Sequence, residues 1–187
     1  MTHHRESSAD KAVTGDIVKL LKADHEKVKS LFDEFKDLME KGNSKSKKEK
    51  IVKEICEELT LHALAEESIV YPATRDVIED QILMDEADVE HASVKELISQ
   101  LQSMNSDDSH YDAKVIVLSE YVEHHVKEEE KMILPKLAKS EIDGKELAEE
   151  VIHFKEDHKE PESKKSTKNK KKEEPVTNSE SSGSTKN

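Results

Sequence analysis

The chain contains one histidine–glutamate–proline spacing twice, and this repeat restricts the possible fold more than any other feature. In each copy a glutamate follows the histidine by four residues, and a proline follows the glutamate by six. The two copies are His62, Glu66 and Pro72, and His125, Glu129 and Pro135. An interval of four residues places two side chains on the same face of an α-helix. The repeat therefore predicts two helices that each carry a histidine and a carboxylate side by side.

A second pair of related segments lies upstream of these copies. Residues 25–31 resemble residues 91–97, because both begin with histidine and share valine, lysine and leucine at the fourth, fifth and seventh positions. Each half of the chain thus has a leading histidine, His25 or His91, followed by a His-x-x-x-Glu pair. We interpret this order as an internal duplication that forms two half-sites.

The composition favours an all-α domain. Of the 187 residues 39% are charged, and glycine and proline number only four each. The formal net charge of -13 argues against a nucleic-acid partner and against an anionic membrane surface. The only cysteine, Cys56, is expected in the core, and the lack of an intramolecular disulfide agrees with a cytoplasmic location. The sequence predicts neither a signal peptide nor a bilayer-spanning segment.

Apolar residues spaced by three and four predict four long helices and a shorter fifth. The predicted bounds are, in chain order, Asp16 to Gly42-Asn43, a capping box at Ser46-x-x-Glu49 to an end or kink at Pro72, Glu79 to Met104, a stretch from the turn at 105–108 to Pro135, and a fifth helix capped near Asp143. The apolar stripes of the second and fourth helices include Ile69 and Met132.

Long helices with short connections favour an antiparallel up-down four-helix bundle, here with a short fifth helix. We assign the bundle to residues 15–158. The polar segment 1–14 and the tail 159–187, which is rich in lysine, serine and glutamate, are predicted to be disordered because neither can bury a core.

Six polar residues occupy stripe positions where core leucines are expected. They are His25, His62, Glu66, His91, His125 and Glu129. Burying a carboxylate is costly without a cation, and one or two metal ions would remove that cost. Imidazole and carboxylate ligands suit iron, zinc or manganese. Two glutamates placed to bridge, with two histidines for each metal, favour a centre of two iron ions.

The other histidines and several acidic residues are predicted to lie outside the site. His124 is rotated about 100° off the apolar face, so we expect it to be exposed or to flank the site. The histidines not expected to bind metal are His110, His153 and His158. The glutamates expected on solvated helix faces are Glu67, Glu128 and Glu130. Glu90 is interpreted either as a hydrogen-bond acceptor for a metal-bound histidine or as a solvated residue.

Around these positions the chain resembles the hemerythrin family in its HHE cation-binding branch. The matching elements are Asp24-His25, His62-x-x-x-Glu66-Glu67 with Tyr71-Pro72, Glu90-His91, and His125-x-x-x-Glu129-Glu130 with Pro135, within about residues 15–140. The resemblance implies a four-helix bundle with a non-haem di-iron centre. The implied ligands are His25 and His62 for one iron, His91 and His125 for the other, and Glu66 and Glu129 as bridges.

The resemblance also sets the expected function. It implies a di-iron protein that binds or senses oxygen, nitric oxide or peroxide, or takes part in iron homeostasis. A role in the stress response is a further expectation. The alternative is a di-iron enzyme that acts on peroxide or delivers iron to damaged iron centres. Oxygen-carrying hemerythrins have a further histidine one turn from the counterpart of His91, whereas this chain has Ala87 and Lys95 at those positions. We expect a small-molecule ligand as partner, with no nucleic acid and no membrane.

Overall fold

The structure is a computed structural model that describes residues 16–42 and 45–159. The predicted disordered segment 1–14 lies outside the described residues, as does the predicted tail after Lys159. The described residues form α-helices and two π-helical turns and contain no strand. The α-helices are α1 (Ile17–Glu40), α2 (Lys45–Ala65), α3 (Tyr71–Arg75), α4 (Gln81–Gln102), α5 (Tyr111–Glu128), α6 (Leu134–Leu137) and α7 (Gly144–His158). The π-helical turns are π1 (Glu66–Val70), between α2 and α3, and π2 (Glu129–Ile133), between α5 and α6.

Aspartates cap three of these helices, and two of them, Asp16 and Asp143, are the caps that sequence analysis predicts. Asp16 accepts a hydrogen bond of 3.0 Å from the backbone N–H of Val18 at the start of α1. Asp80 and Asp143 accept backbone hydrogen bonds in the same way at the starts of α4 and α7. These caps satisfy N–H groups that have no partner within the helix. After α1 the chain leaves the helix through Gly42, whose φ of 64° suits glycine.

The predicted capping box at the start of the second helix is wrong. The helix already includes Lys45, so Ser46 lies within its first turn and is not the capping residue. Glu49 instead accepts hydrogen bonds from the backbone N–H and the hydroxyl of Ser106, at 3.2 and 2.8 Å. Its carboxylate therefore ties α2 to the loop between α4 and α5.

The four long helices form the antiparallel up-down bundle that the sequence predicts. Helix α1 packs against α2 and α5, and α4 packs against the same two helices, so the four surround one interior. The shorter α7 packs across α1, α2 and π1. The bundle is thus covered on one side by a fifth helix.

The apolar interior consists of two separate clusters. One contains Leu21, Tyr71, Met84 and Leu134 and extends to α7. The other contains Phe32, Ile55, Val94 and Leu118 and fills the opposite end of the bundle. Along each long helix, the histidine of the repeat lies between a residue of one cluster and a residue of the other. The sequence therefore builds a polar layer enclosed above and below by apolar side chains.

The two π-helical turns were not predicted, and they change which residues are buried. In each turn the backbone N–H just before the proline bonds to the carbonyl five residues earlier: Tyr71 to Glu66, and Leu134 to Glu129. Proline has no N–H and clashes with the carbonyl four residues before it, so a wider turn at this point accommodates it. The helix continues beyond each proline instead of ending there.

Each wider turn adds one residue to the helix and rotates the buried face. Met132, predicted in the core, is 39% exposed, whereas Ile133 and Leu134 are each 1% exposed. Ile69 is likewise only partly buried, whereas Val70 and Tyr71 are buried. The prediction for Met132 is wrong because a spacing of 3.6 residues per turn does not hold through a π-helical turn.

Candidate metal centre

All six predicted site residues meet in the polar layer, and none is more than 7% exposed. They are His25, His62, Glu66, His91, His125 and Glu129. Their nitrogen and oxygen atoms form two groups in which all atoms lie within 4.8 Å of one another. The first group contains His25, His62, Glu66 and Glu129, and the second contains Glu66, His91 and His125. Glu66 therefore belongs to both groups.

Every one of the four histidines has a carboxylate behind its ring, on the side away from the layer. His25 Nδ1 donates to Glu130 at 2.9 Å, and His91 Nδ1 donates to Glu67 at 3.1 Å. The remaining two pairs are His62 Nδ1 to Asp24 at 3.1 Å, and His125 Nδ1 to Glu90 at 2.8 Å. A histidine that binds metal through one nitrogen usually donates the other N–H to such an acceptor. The carboxylates fix the orientation of all four rings.

These four pairs follow the internal duplication. His62 and His125 each pair with an acid from the same half of the chain, the residue directly before the leading histidine. His25 and His91 each pair with an acid from the opposite half, the residue directly after the glutamate of the repeat. A pseudo-twofold relation thus links the two halves down to individual hydrogen bonds.

The carboxylate partners also determine which nitrogens face the layer. Because an ionised carboxylate only accepts hydrogen bonds, each Nδ1 must carry the proton, and the Nε2 of a neutral ring then presents a lone pair. The Nε2 atoms of His91 and His125 lie only 3.1 Å apart. Two lone pairs at this distance repel each other, and a cation bound by both nitrogens would remove the repulsion.

Unsatisfied polar atoms are concentrated in the same layer. Within residues 16–42 and 45–159, six of the seven buried side-chain atoms without a well-oriented hydrogen-bond partner belong to it. They are Nε2 of His25 and His62 and both carboxylate oxygens of Glu66 and Glu129. Buried polar atoms in proteins are normally paired, so this set fits metal coordination. Four imidazoles and two carboxylates form a donor set suited to iron, zinc or manganese.

The two glutamates of the layer have opposite shifts in pKa. Burial, together with the charge of Glu129, raises the pKa of Glu66 well above its usual range. Burial opposes ionisation of Glu129 as well, but its contact with His25, with 3.1 Å between Oε2 and Nε2, lowers its pKa to about 2. Against the effect of burial, the same contact raises the pKa of His25 to about 9. A protonated His25 beside an ionised Glu129 therefore offsets part of the negative charge within the layer.

Tyr71 is a neighbour of the site to which sequence analysis gave no role. Its ring stacks on His91 with the centroids 5.3 Å apart, and its hydroxyl lies 3.3 Å from His91 Nε2. Burial raises the pKa of this phenol, so it remains protonated. The residue at the corresponding place before the second proline is Leu134. The phenol therefore makes the two halves of the site chemically different.

The predictions for the surrounding acids are partly wrong. Glu67 and Glu130 are not solvated, because each is half-buried and accepts a hydrogen bond from a site histidine. The sequence feature that could have indicated this role is their position directly after the two repeat glutamates. Glu90 accepts a hydrogen bond from His125, as the first of its two interpretations requires. Glu128 is also half-buried, with Oε1 at 3.8 Å from His124 Nε2.

The other histidines among the described residues lie outside the layer. His124 is 61% exposed and flanks the site, as the helical rotation predicts. His110, His153 and His158 are exposed. His110 lies just before α5 with a φ of 70°, a left-handed conformation that histidine adopts more readily than most residues.

Residues 16–137 match the hemerythrin HHE cation binding domain. This stretch includes the whole layer and the four carboxylates behind its histidines. The chain belongs to the hemerythrin HHE cation-binding family. Membership accounts for the orphaned donors of the layer, because a domain of this family binds cations.

Two known proteins show further similarity to this HHE protein. It is 30% identical over 118 residues to a DNA nickase from Nostoc sp. strain PCC 7120, a match that spans 62% of this chain and 31% of the nickase. The fold is similar to the crystal structure of a hemerythrin HHE cation binding domain-containing protein from Mycobacterium kansasii. That likeness has a TM-score of 0.63 and 21% identity, and covers 76% of this chain and 86% of the other. At this identity it supports the fold alone.

Across residues 16–42 and 45–159, no helix of this HHE protein combines the length and the apolar character that a membrane-spanning helix needs.

Proposed function

We propose that the buried layer holds two iron ions and that the protein binds a small ligand there, such as oxygen, nitric oxide or peroxide. The observation that supports this most directly is the arrangement of unsatisfied donors in two groups that share Glu66. The proposed ligands are His25 and His62 for one iron, His91 and His125 for the other, and Glu66 and Glu129 between them.

The number of donors in the layer supports two metal ions better than one. Two carboxylates and four imidazoles provide more donors than a single tetrahedral or octahedral ion can use if it also keeps a place for a ligand. The two groups also contain different histidines. A single ion would leave one pair of imidazoles facing each other without a cation.

The positions around His91 leave room for a small ligand. Ala87, one turn earlier, is buried and has no donor atom, and Lys95, one turn later, donates to Glu67 instead. Iron held by imidazole and carboxylate ligands with open positions binds oxygen and related molecules. The two apolar clusters enclose the layer, so the protein excludes bulk water and admits only a small molecule.

The alternative function, an enzyme that acts on peroxide, is favoured by Tyr71. Its hydroxyl is buried and lies 3.3 Å from the inward nitrogen of His91. A protonated phenol beside the ligand position is a proton donor of the kind that peroxide turnover requires. We therefore expect any turnover to depend on this hydroxyl, whereas simple ligand binding depends on the histidines and glutamates.

The DNA-nicking activity named for the Nostoc protein is not part of the proposal. This chain matches only 31% of that protein, and its formal net charge of -13 disfavours contact with a phosphate backbone.

Anaerobic iron loading followed by metal analysis tests the proposal. We expect two irons per chain and, after oxidation, a new charge-transfer band when azide is added. One zinc ion and no iron after reconstitution would contradict the di-iron centre. Peroxide turnover by the loaded protein that disappears in Tyr71→Phe, with the azide band retained, would favour the enzyme.

A further inference from the structure

The two halves of the site differ in the partners of their outer carboxylates. Asp24, behind His62, lies beside α7, and Lys155 of that helix forms an ion pair with it. Glu90 is the equivalent residue behind His125, and no lysine is paired with it among the described contacts. The two side chains are similarly exposed, at 22% and 19%, so the difference between the two sides is the neutralising lysine.

The side with Glu90 carries a second group of side chains that could hold a metal ion. Glu90 on α4 and His124 and Glu128 on α5 each offer a ligand atom, and these atoms lie within 4.8 Å of one another. His124 Nε2 is 3.3 Å from Glu90 Oε1 and 3.8 Å from Glu128 Oε1. His124 and Glu128 also line a surface pocket of about 210 Å³.

The equivalent positions on the side with Asp24 lack this chemistry. By the repeat, Leu61 corresponds to His124 and Ala65 corresponds to Glu128. Ala65 is fully buried in the apolar cluster, whereas His124 is exposed. The imidazole and the second carboxylate are thus present only beside Glu90, the outer acid that has no lysine partner among the described contacts.

We propose that His124, Glu90 and Glu128 form a surface site for a divalent transition-metal ion, through which iron reaches the buried layer. One imidazole and two carboxylates are a common ligand set for Fe²⁺ and Zn²⁺. The two carboxylate oxygens of Glu90 have different partners: Oε2 accepts a hydrogen bond from His125, and Oε1 faces His124. The Glu90 side chain would therefore connect an ion at the surface site to a histidine of the layer.

The surroundings make this site weaker than the buried one, which suits transfer inward. His124 is 61% exposed, and the lysines Lys127 and Lys131 line the same pocket. Solvent screens the attraction of the carboxylates for a cation, and the lysines oppose it. The buried layer offers more donors in a low-dielectric environment, so an ion gains by moving inward.

The surface site can be tested with zinc on protein that already contains its two irons, with iron measured before and after. The route inward rests on the proposed di-iron centre, whereas the zinc measurement does not depend on its chemistry. We expect calorimetry to detect one further Zn²⁺ per chain, with affinity reduced about tenfold or more in His124→Ala and Glu128→Gln. His153→Ala is the matched control, because His153 is also exposed and lies 3.9 Å from an acid, Glu156. It should bind zinc as the wild type does.

The route is tested by mixing metal-free protein with Fe²⁺ in a stopped-flow instrument. His124→Ala should slow loading about tenfold, while its final iron content and azide band match the wild type. Loading of His124→Ala at the wild-type rate overturns the route, and no further zinc in the iron-loaded wild type overturns the surface site. Either result leaves the di-iron proposal standing. Failure of the wild type to take up iron overturns the di-iron proposal, and the route with it, before any zinc is added.

Discussion

Glu67 accepts a hydrogen bond from His91 Nδ1 at 3.1 Å, so an acid from one half of the chain orients a histidine of the other half. His91 also lowers the pKa of Glu67, together with Lys95, although burial acts in the opposite direction. The side chain of Glu67 does not face the layer itself. Its influence on metal binding must therefore pass through the imidazole that it holds.

We expect Glu67→Ala to weaken iron binding by about 10- to 100-fold, because the ring of His91 loses its fixed orientation and tautomer. Competition with a calibrated chelator measures the change. Glu86→Ala, on an exposed position of α4, is the control and should bind iron normally. Equal affinities in the two variants would show that the hydrogen bond to His91 has no part in binding.

Glu66→Ala should lower the iron content more than His91→Ala does. Glu66 lies in both groups of donors, whereas His91 lies in one. Removing the glutamate disturbs both metal positions, while removing the histidine mainly loosens one. Metal analysis after gel filtration measures the difference, and far-ultraviolet circular dichroism confirms that both variants fold. Loss of only one iron in Glu66→Ala would argue against a bridging role.

Metal uptake should release protons and become tighter as the pH rises. Burial raises the pKa of Glu66, and the contact with Glu129 raises that of His25 to about 9, so both groups hold a proton at neutral pH. Both groups must lose this proton to bind metal. For each proton displaced, the apparent affinity for metal therefore falls about tenfold when the pH is lowered by one unit. Dissociation constants for Zn²⁺ at pH 6, 7 and 8, with an indicator to count protons, test this. Affinity independent of pH would contradict it.

Cys56 should resist thiol reagents in the folded protein. It is 2% exposed, and burial raises the pKa of its thiol to about 12. The thiolate is the reactive form and exists mainly above the pKa, so almost none is present at pH 8. We expect slow labelling by a disulfide reagent in buffer and complete, rapid labelling in guanidinium, with Cys56→Ala as the unreactive control. Rapid labelling under native conditions would show that α2 opens readily.

The apolar stripes were sufficient to predict the bundle and to place six polar residues in one layer. His25 and Glu66 stand where leucines belong, and only a shared interior explains such positions in every long helix. The partners Glu67 and Glu130 were missed because they lie one position off the stripe. At that angle a helix points toward solvent or toward a neighbour, and the sequence does not say which.

The π-helical turns were missed for a different reason. Helical periodicity assumes a constant advance of 3.6 residues per turn, and one additional residue leaves no mark in composition. The constant spacing of six residues from glutamate to proline was the available signal. Without that signal a regular helix is assumed, and this assumption places the exposed Met132 on the buried face.

The crossed hydrogen bonds of His25 with Glu130, and of His91 with Glu67, have a consequence for what either half of the chain can do separately. A lone half would have one of its two histidines without an acceptor and would supply a single glutamate to the layer. Two identical copies of such a half, related by a twofold axis, would restore every one of these pairs, as in an isologous dimer interface. The contact between the two halves of the chain therefore has the same symmetry as the contact between two identical subunits of a dimer.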